Sequence, residues 1–188
     1  MKARPIALLI SAMLFAAGFP GPKALDFDAG VAGSRIALPG MAGAWQIGPR
    51  VSFSQDFYPF GSPGALVPAL GVSGRYHGFG ASRPAEDGSL YRAWQAVGLG
   101  AFLGARYSRD SLSFSFDLGA YANVSKFSGT GLLGAHPSLA ASLGAKLALS
   151  DRLGFGISLP FEYAWKGGAG IATAGFSIAG EIRLGRKE

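Results

Sequence analysis

Nine charged residues frame the chemistry open to this chain: Asp28, Arg50, Arg75, Arg106, Asp117, Lys146, Glu162, Glu181 and Arg183. They carry both signs and stand singly in a sequence with only 15% charged residues, where a soluble domain carries about 25%. Brought together in a dry interior, such groups must pair, because an isolated buried charge is very costly. Conventional site chemistry is thin. There are two histidines, His77 and His136, and no cysteine. That excludes disulfides, thiol catalysis and cysteine metal sites, and a metal would need a third ligand beside the histidines. The stretch Gly98 to Gly104 lacks the Gly-Lys-Ser/Thr ending of a phosphate loop. No catalytic residue, metal or cofactor is expected.

The bulk composition narrows the class. Hydrophobic residues make up 49% of the 188, and there are 30 glycines without a Gly-X-Y period. The aromatic content, 12%, is too high for a disordered chain. The net charge is +6, but its nearest approach to a cluster is Arg183, Arg186 and Lys187. Without a basic stripe interleaved with stacking aromatics, nucleic-acid binding is not expected.

The N-terminus reads as an export signal. Lys2 and Arg4 precede an apolar run from Ile6 to Gly18, and Ala16-Ala17-Gly18 offers small residues for cleavage before Phe19. The run is shorter than the roughly 20 residues a spanning helix needs. The expected division is a signal peptide over 1–18 and one barrel domain over 19–188.

Beyond it, the elements that position the charges have a period of two. From Leu112 to Ser125, Leu112, Phe114, Phe116, Leu118, Ala120, Ala122 and Val124 alternate with Ser113, Ser115, Asp117, Gly119, Tyr121, Asn123 and Ser125. Such alternation puts the apolar side chains on one face of a strand. The pattern recurs over Leu25–Val31, Trp45–Phe53, Leu66–His77, Val97–Tyr107, Ser138–Leu149, Leu153–Lys166 and Phe176–Leu184. That makes eight strands, the best of them as long as the 9–11 residues of a tilted membrane strand. Ser108–Ser111 and Ser150–Arg152 read as tight turns, Gly80–Leu90 and Lys126–His136 as longer loops. Gln55–Ala65 and Gly167–Gly170 break this short–long alternation. Pro49, Pro68 and Pro160 fall inside strands, where bulges or shifted ends are expected.

The second face decides the environment. A soluble sandwich shows water a lysine- and glutamate-rich face. Here that face is mostly Gly, Ser and Ala, which suits the crowded inside of a narrow barrel. The apolar face then meets lipid, where every backbone group must be bonded internally and the sheet must close. The expected fold is all-β: a closed antiparallel up-and-down transmembrane barrel of eight strands. Trp45, Tyr76, Tyr91, Tyr163 and Trp165 fall near the loop side, and Phe57, Tyr58 and Tyr107 near the turn side, as two interfacial girdles require. All nine charges have inward parity. Counted from the turn side, Asp28, Arg50, Asp117, Lys146 and Glu181 reach similar heights, so one network plugging the lumen is expected. A thin water-filled pore is the competing reading.

Over residues from about 25 to 185 this pattern resembles the small eight-stranded outer-membrane proteins of the OmpA/OmpX type. The resemblance implies a bacterial outer-membrane location, contact with outer-membrane lipid, delivery by the barrel assembly machinery, a monomer, and a structural or surface-interaction role with a surface ligand unspecified. The final residues, Ile182 to Glu188, depart from the aromatic ending usual there, and the peptidoglycan-anchoring role of the larger OmpA-like proteins is not expected. Two shorter likenesses mark alternatives. Gly43-Ala44-Trp45 is similar to the Gly-x-Trp signature of lipocalins and goes with a ligand-binding or transport barrel. His136-Pro137-Ser138 is similar to the His-x-Ser element of outer-membrane lipid A deacylases, a lipid-modifying hydrolase. There the nearest downstream acid, Asp151, lies in the opposite turn.

Overall fold

A computed structural model describes residues 23–37, 43–58, 66–84, 91–127, 133–166 and 168–184. The segment read as a signal peptide lies outside them. The alternating segments form eight strands: β1 (Lys23–Ala37), β2 (Ala44–Phe57), β3 (Leu66–Phe79), β4 (Trp94–Arg109), β5 (Leu112–Phe127), β6 (Leu133–Ala148), β7 (Leu153–Lys166) and β8 (Ala169–Leu184). Each is antiparallel to its sequence neighbours, and β1 pairs with β8 to close the barrel. Side chains therefore divide into an outer wall and a lumen.

The outer wall is apolar. Phe27, Val31, Ile47, Leu103, Phe116, Leu118, Leu143, Phe155, Phe161, Phe176 and Ile178 all stand exposed on it. A surface facing water does not carry a continuous band of this kind. Arg35 and Lys126 bound the band at the loop end, and Arg109 at the turn end. Inside it, Gln55 is a polar side chain of outward parity, and it is buried.

The register fixes the tilt. Paired residues followed once round the wall lead from Asp26 through Ser54, Ser73, Gly100, Tyr121, Ser138, Ala164 and Ile171 to Ile36, ten residues further along β1. With about 3.3 Å per residue and about 4.8 Å between strands, this shear tilts the strands by roughly 40°. Membrane barrels have tilts of about 35–45°. The strands run 14 to 16 residues, so they rise about 35–40 Å along the axis at that spacing. They outreach the hydrocarbon layer at both ends.

No ladder changes register at a proline; instead pairing on one side ends or skips beside it. The β2–β3 ladder ends at Arg50↔His77, just short of Pro49, and at Phe57↔Leu70, two residues short of Pro68. The β6–β7 ladder begins at Ser138↔Ala164, one residue past Pro137. Between Ser158↔Ser177 and Phe161↔Ala174 the β7–β8 ladder skips Pro160 but resumes in the same register. Proline has no N–H to donate, and here the missing donor falls beside a rung that is not made.

Several strand ends differ from expectation. β2 continues to Phe57, so the connection read as starting at Gln55 begins later. The loop read from Lys126 to His136 is largely strand at both ends, because β5 extends to Phe127 and β6 starts at Leu133. Likewise β3 ends only at Phe79, and Ser82 and Tyr91 then hold the two sides of its connection together. Ser82 N–H donates to Tyr91 O and Tyr91 N–H to Ser82 Oγ, each at 2.9 Å. At the turn end β4 and β5 close through Asp110 and Ser111, with Asp110 at φ 55°, a left-handed conformation that aspartate tolerates.

Leu118 lies mid-wall and is 54% exposed. Leu118→Arg is expected to cost about 2–4 kcal/mol of stability in a bilayer, whereas Leu118→Ile should be nearly neutral. Urea titration of the protein folded into liposomes measures both, and equal midpoints for the two variants would reverse the assignment of the faces.

Candidate functional site

The lumen holds the charged side chains, delivered by the inward parity of the strands. Near the turn end Arg106 on β4 reaches two carboxylates. Its Nε donates to Asp56 Oδ2 at 2.8 Å, its Nη2 lies 2.6 Å from the same oxygen, and its Nη1 donates to Asp117 Oδ1 at 2.6 Å. Tyr58 Oη lies 3.4 Å from Asp56 Oδ2. Beside this set, Lys146 on β6 pairs with Asp26 and, at 3.1 Å, with Glu181. Arg183 Nε donates to the other oxygen of Glu181 at 2.5 Å.

Nearer the loop end Arg75 on β3 is the hub. Its Nη2 lies 2.6 Å from Glu162 Oε1 and 2.7 Å from Ser138 Oγ. Its guanidinium stacks 3.5 Å from the centre of the Tyr121 ring, a contact that favours a cation. Asn123 Nδ2 donates to Ser138 Oγ at 2.8 Å. Gly98 makes this approach feasible: a Cβ there would collide with Asn123 Oδ1 and lie 3.0 Å from Arg75 Nε. Arg50 on β2 donates from Nη1 to Ser177 Oγ at 3.2 Å. Asp28 accepts from Ser52 Oγ and Ser158 Oγ, both at 3.0 Å. Arg50, Arg75, His77, Asp117, Tyr121, Glu162 and Thr173 are among the residues lining a cavity of about 40 Å³.

Thus all nine inward charges stand in the lumen, but not as one network. Lys146 and Glu181 belong to the turn-end group, as does Asp117 through Arg106, whereas Arg50 bonds over Gly30 of the intervening β1 to Ser177 on β8. The longer β2 lifts Arg50 away from the turn end. Between the two groups Phe102 is buried, its ring filling the space that a Cβ at Gly71 would need. Asp26 and Asp56 are members that sequence reasoning missed. Asp26 already had inward parity. Asp56 lay past Gln55, whose polarity on the outward face ended the recognisable alternation.

The loop end is closed by apolar packing. Ile36, Ala44, Phe79, Tyr91, Trp94, Ala96, Ala164 and Ile171 form one buried cluster. Trp94 stacks on Phe79 with ring centres 4.7 Å apart. The Gln46 amide ties the cluster together: its Oε1 accepts from Trp94 Nε1 at 2.9 Å, and its Nε2 donates to Gly80 O at 2.7 Å and to Arg92 O at 3.0 Å.

The interfacial aromatics divide accordingly. Trp45, Tyr107, Tyr163 and Trp165 are exposed on the outer wall, and Tyr76 is half-buried with the same parity. Tyr91 is a correction: it is buried in the apolar cluster, because the Ser82–Tyr91 bonds fold it over the mouth. Phe57 and Tyr58, expected in the turn-side girdle, are buried as well. His136 and Ser138 are buried in the lumen. Ser138 Oγ accepts from both Arg75 and Asn123, and Asp151 stands exposed in the far turn. That arrangement holds the hydroxyl away from lipid.

A closed eight-stranded antiparallel barrel with an apolar wall and an ion-paired lumen has the fold of the small outer-membrane barrels. Neisserial surface protein A superposes with a TM-score of 0.62 at 11% identity, over 88% of this chain and 100% of that one. OprG of Pseudomonas aeruginosa gives 0.51 at 11% identity, over 90% and 99%. No family model and no curated protein matches the chain.

Lys146→Ala would leave Asp26 and Glu181 facing each other without their cation. Removing one side of a buried pair costs about 3–5 kcal/mol, so the urea midpoint should fall sharply. Adding Asp26→Asn and Glu181→Gln to that variant should recover part of the loss. A Lys146→Ala protein as stable as wild type would show that the pairing contributes little.

Proposed function

We propose that this protein is a resident barrel of a bacterial outer membrane, exported by a leader cleaved before Phe19 and inserted by the barrel assembly machinery. Its lumen is closed, and its role is structural or one of surface interaction. The observation that carries this reading is the filled interior: two polar networks, Phe102 between them and an apolar cap over the mouth. A cavity of about 40 Å³ is far below the 300–1,000 Å³ of small-molecule sites, which argues against a lipocalin-like ligand barrel.

Contact with other molecules then falls to the outer wall and the loop end. Arg35, Arg83, Arg92 and Lys126 are exposed at the loop end, and all the exposed charges described there are basic. Such a rim suits the phosphates of outer-leaflet lipid, since basic groups near an anionic surface are each worth about 1 kcal/mol.

Two measurements test the proposal. In planar bilayers the wild-type protein should show little ion conductance, and a steady large conductance would replace the closed lumen with a pore. On whole cells Arg83→Cys should react with an impermeant thiol reagent, while Arg152→Cys should react only after the outer membrane is broken. The reverse pattern would invert the topology.

A further inference from the structure

Near the loop end of the outer wall, one row of paired residues mixes polar side chains with a missing one. Gly78 pairs with Gln95, and Gln95 pairs with Lys126. All three have outward parity. Gly78 presents no side chain, and Tyr76, two residues below it on β3, uses the space: a Cβ at Gly78 would come within 2.8 Å of Tyr76 Oη. On the other side the β2–β3 ladder has stopped at Arg50↔His77, and Ile47 and Pro49 of β2 stand beside the gap. Together these residues line a notch of about 500 Å³, within the range of roughly 300–1,000 Å³ that small-molecule sites occupy. Among the described residues, the side chains of Tyr76, Gln95 and Lys126 have no hydrogen-bond or ion-pair partner.

The notch is amphipathic. Its Lys126 margin is cationic, and all the exposed charges described at this end are basic. Its other margin, Ile47 at 75% exposure with Pro49, is apolar. Directly below Gln95 and Lys126, Val97 and Val124 continue the apolar wall, each 45% exposed. Water would serve the three polar groups but leave the apolar margin wet, and a free inorganic anion would do the same. A lipid answers both halves: its phosphate accepts from Lys126, Gln95 and Tyr76, and its acyl chain runs down over Val97 and Val124. We propose that the notch between Ile47 and Lys126 binds one phosphate-bearing membrane lipid, seated by its headgroup. The proposal rests on the reading of the wall as lipid-facing and of the rim as phosphate-facing, and it gives that rim one defined lipid position.

The test uses the full chain purified in detergent. Its probes are dioleoyl phosphatidic acid and dioleoylglycerol, which share their chains and differ by the phosphate. Native mass spectrometry should show one phosphatidic acid retained at concentrations where dioleoylglycerol is not. Lys126→Gln should weaken that binding about five-fold, the equivalent of about 1 kcal/mol. Gly80→Leu should weaken it at unchanged charge, because Gly80 also lines the notch and a Cβ there meets nothing closer than Ile47 O at 3.9 Å. Arg109→Gln, at the opposite end, should bind as wild type does. Equal retention of the two probes, displacement of the lipid by equimolar inorganic phosphate, or wild-type binding by both Lys126→Gln and Gly80→Leu would overturn the site. The placement is read separately, from labelling of Arg83→Cys on whole cells. Labelling only after the membrane is broken, with phosphatidic acid still retained, would overturn the topology and leave the lipid site standing.

Discussion

A peptide group in hydrocarbon has no water to bond, and an unpaired one costs several kcal/mol. The rest of this structure follows from that constraint. A sheet can meet it only by closing, and closure of eight strands with a shear of ten residues sets a lumen that side chains must fill. The same constraint governs the prolines. Pro49, Pro68 and Pro137 lie near strand ends, where unmade rungs can reach the polar interface. Pro160 lies mid-wall, but the polar cavity is lined by Pro160 and Phe161, so that break opens on the lumen rather than on lipid. Gly175 opposite leaves space for the ring, since a Cβ there would come within 3.3 Å of Pro160 Cγ.

Closure also turns the inward face into a problem of electrostatics. Strands that show only apolar groups to lipid have one side left for polarity, and that side is narrow. Arg106 between Asp56 and Asp117, and Lys146 between Asp26 and Glu181, each place one cation between two anions. Such sets gain little net stability over apolar packing, but they are costly to break. They also cross the barrel between strands far apart in sequence. Lys146 bonds Asp26 across 120 positions and Arg75 bonds Glu162 across 87. A slip of one residue would turn every such side chain to lipid, so the pairs penalise a wrong register as well as bridging the lumen.

The faces were legible because alternation is a local property of the sequence. Leu112 to Val124 reads the same way in the chain and on the wall. The assembly of the charges was not legible, for three physical reasons. Gln55, polar on the outward face, hid the end of β2, and with it Asp56 and the height of Arg50. Shear relates strand to strand, and no single segment records it. Tyr91 looked like an interfacial ring because its type and position fit, but its burial depends on the Ser82 contact made by a connecting segment, which has no period to read.

Taken together, the wall and the lumen leave the ends of the barrel as the surfaces free to vary. The wall must match lipid at every outward position, and the lumen must find a partner for the charges it carries, whether an opposite charge or a hydroxyl. Any substitution in either is judged first by folding. The loop end is under neither demand once the Gln46 amide and the Phe79–Trp94 stack have sealed it. Arg83 and Arg92, beyond that seal, make no contribution to the ion pairs of the lumen. Their charge is best explained by what lies outside the barrel. On the proposed outer-membrane placement, the described cations above the apolar wall would stand level with lipid phosphates. On that reading these cations, rather than the lumen, would set how deep the barrel rides.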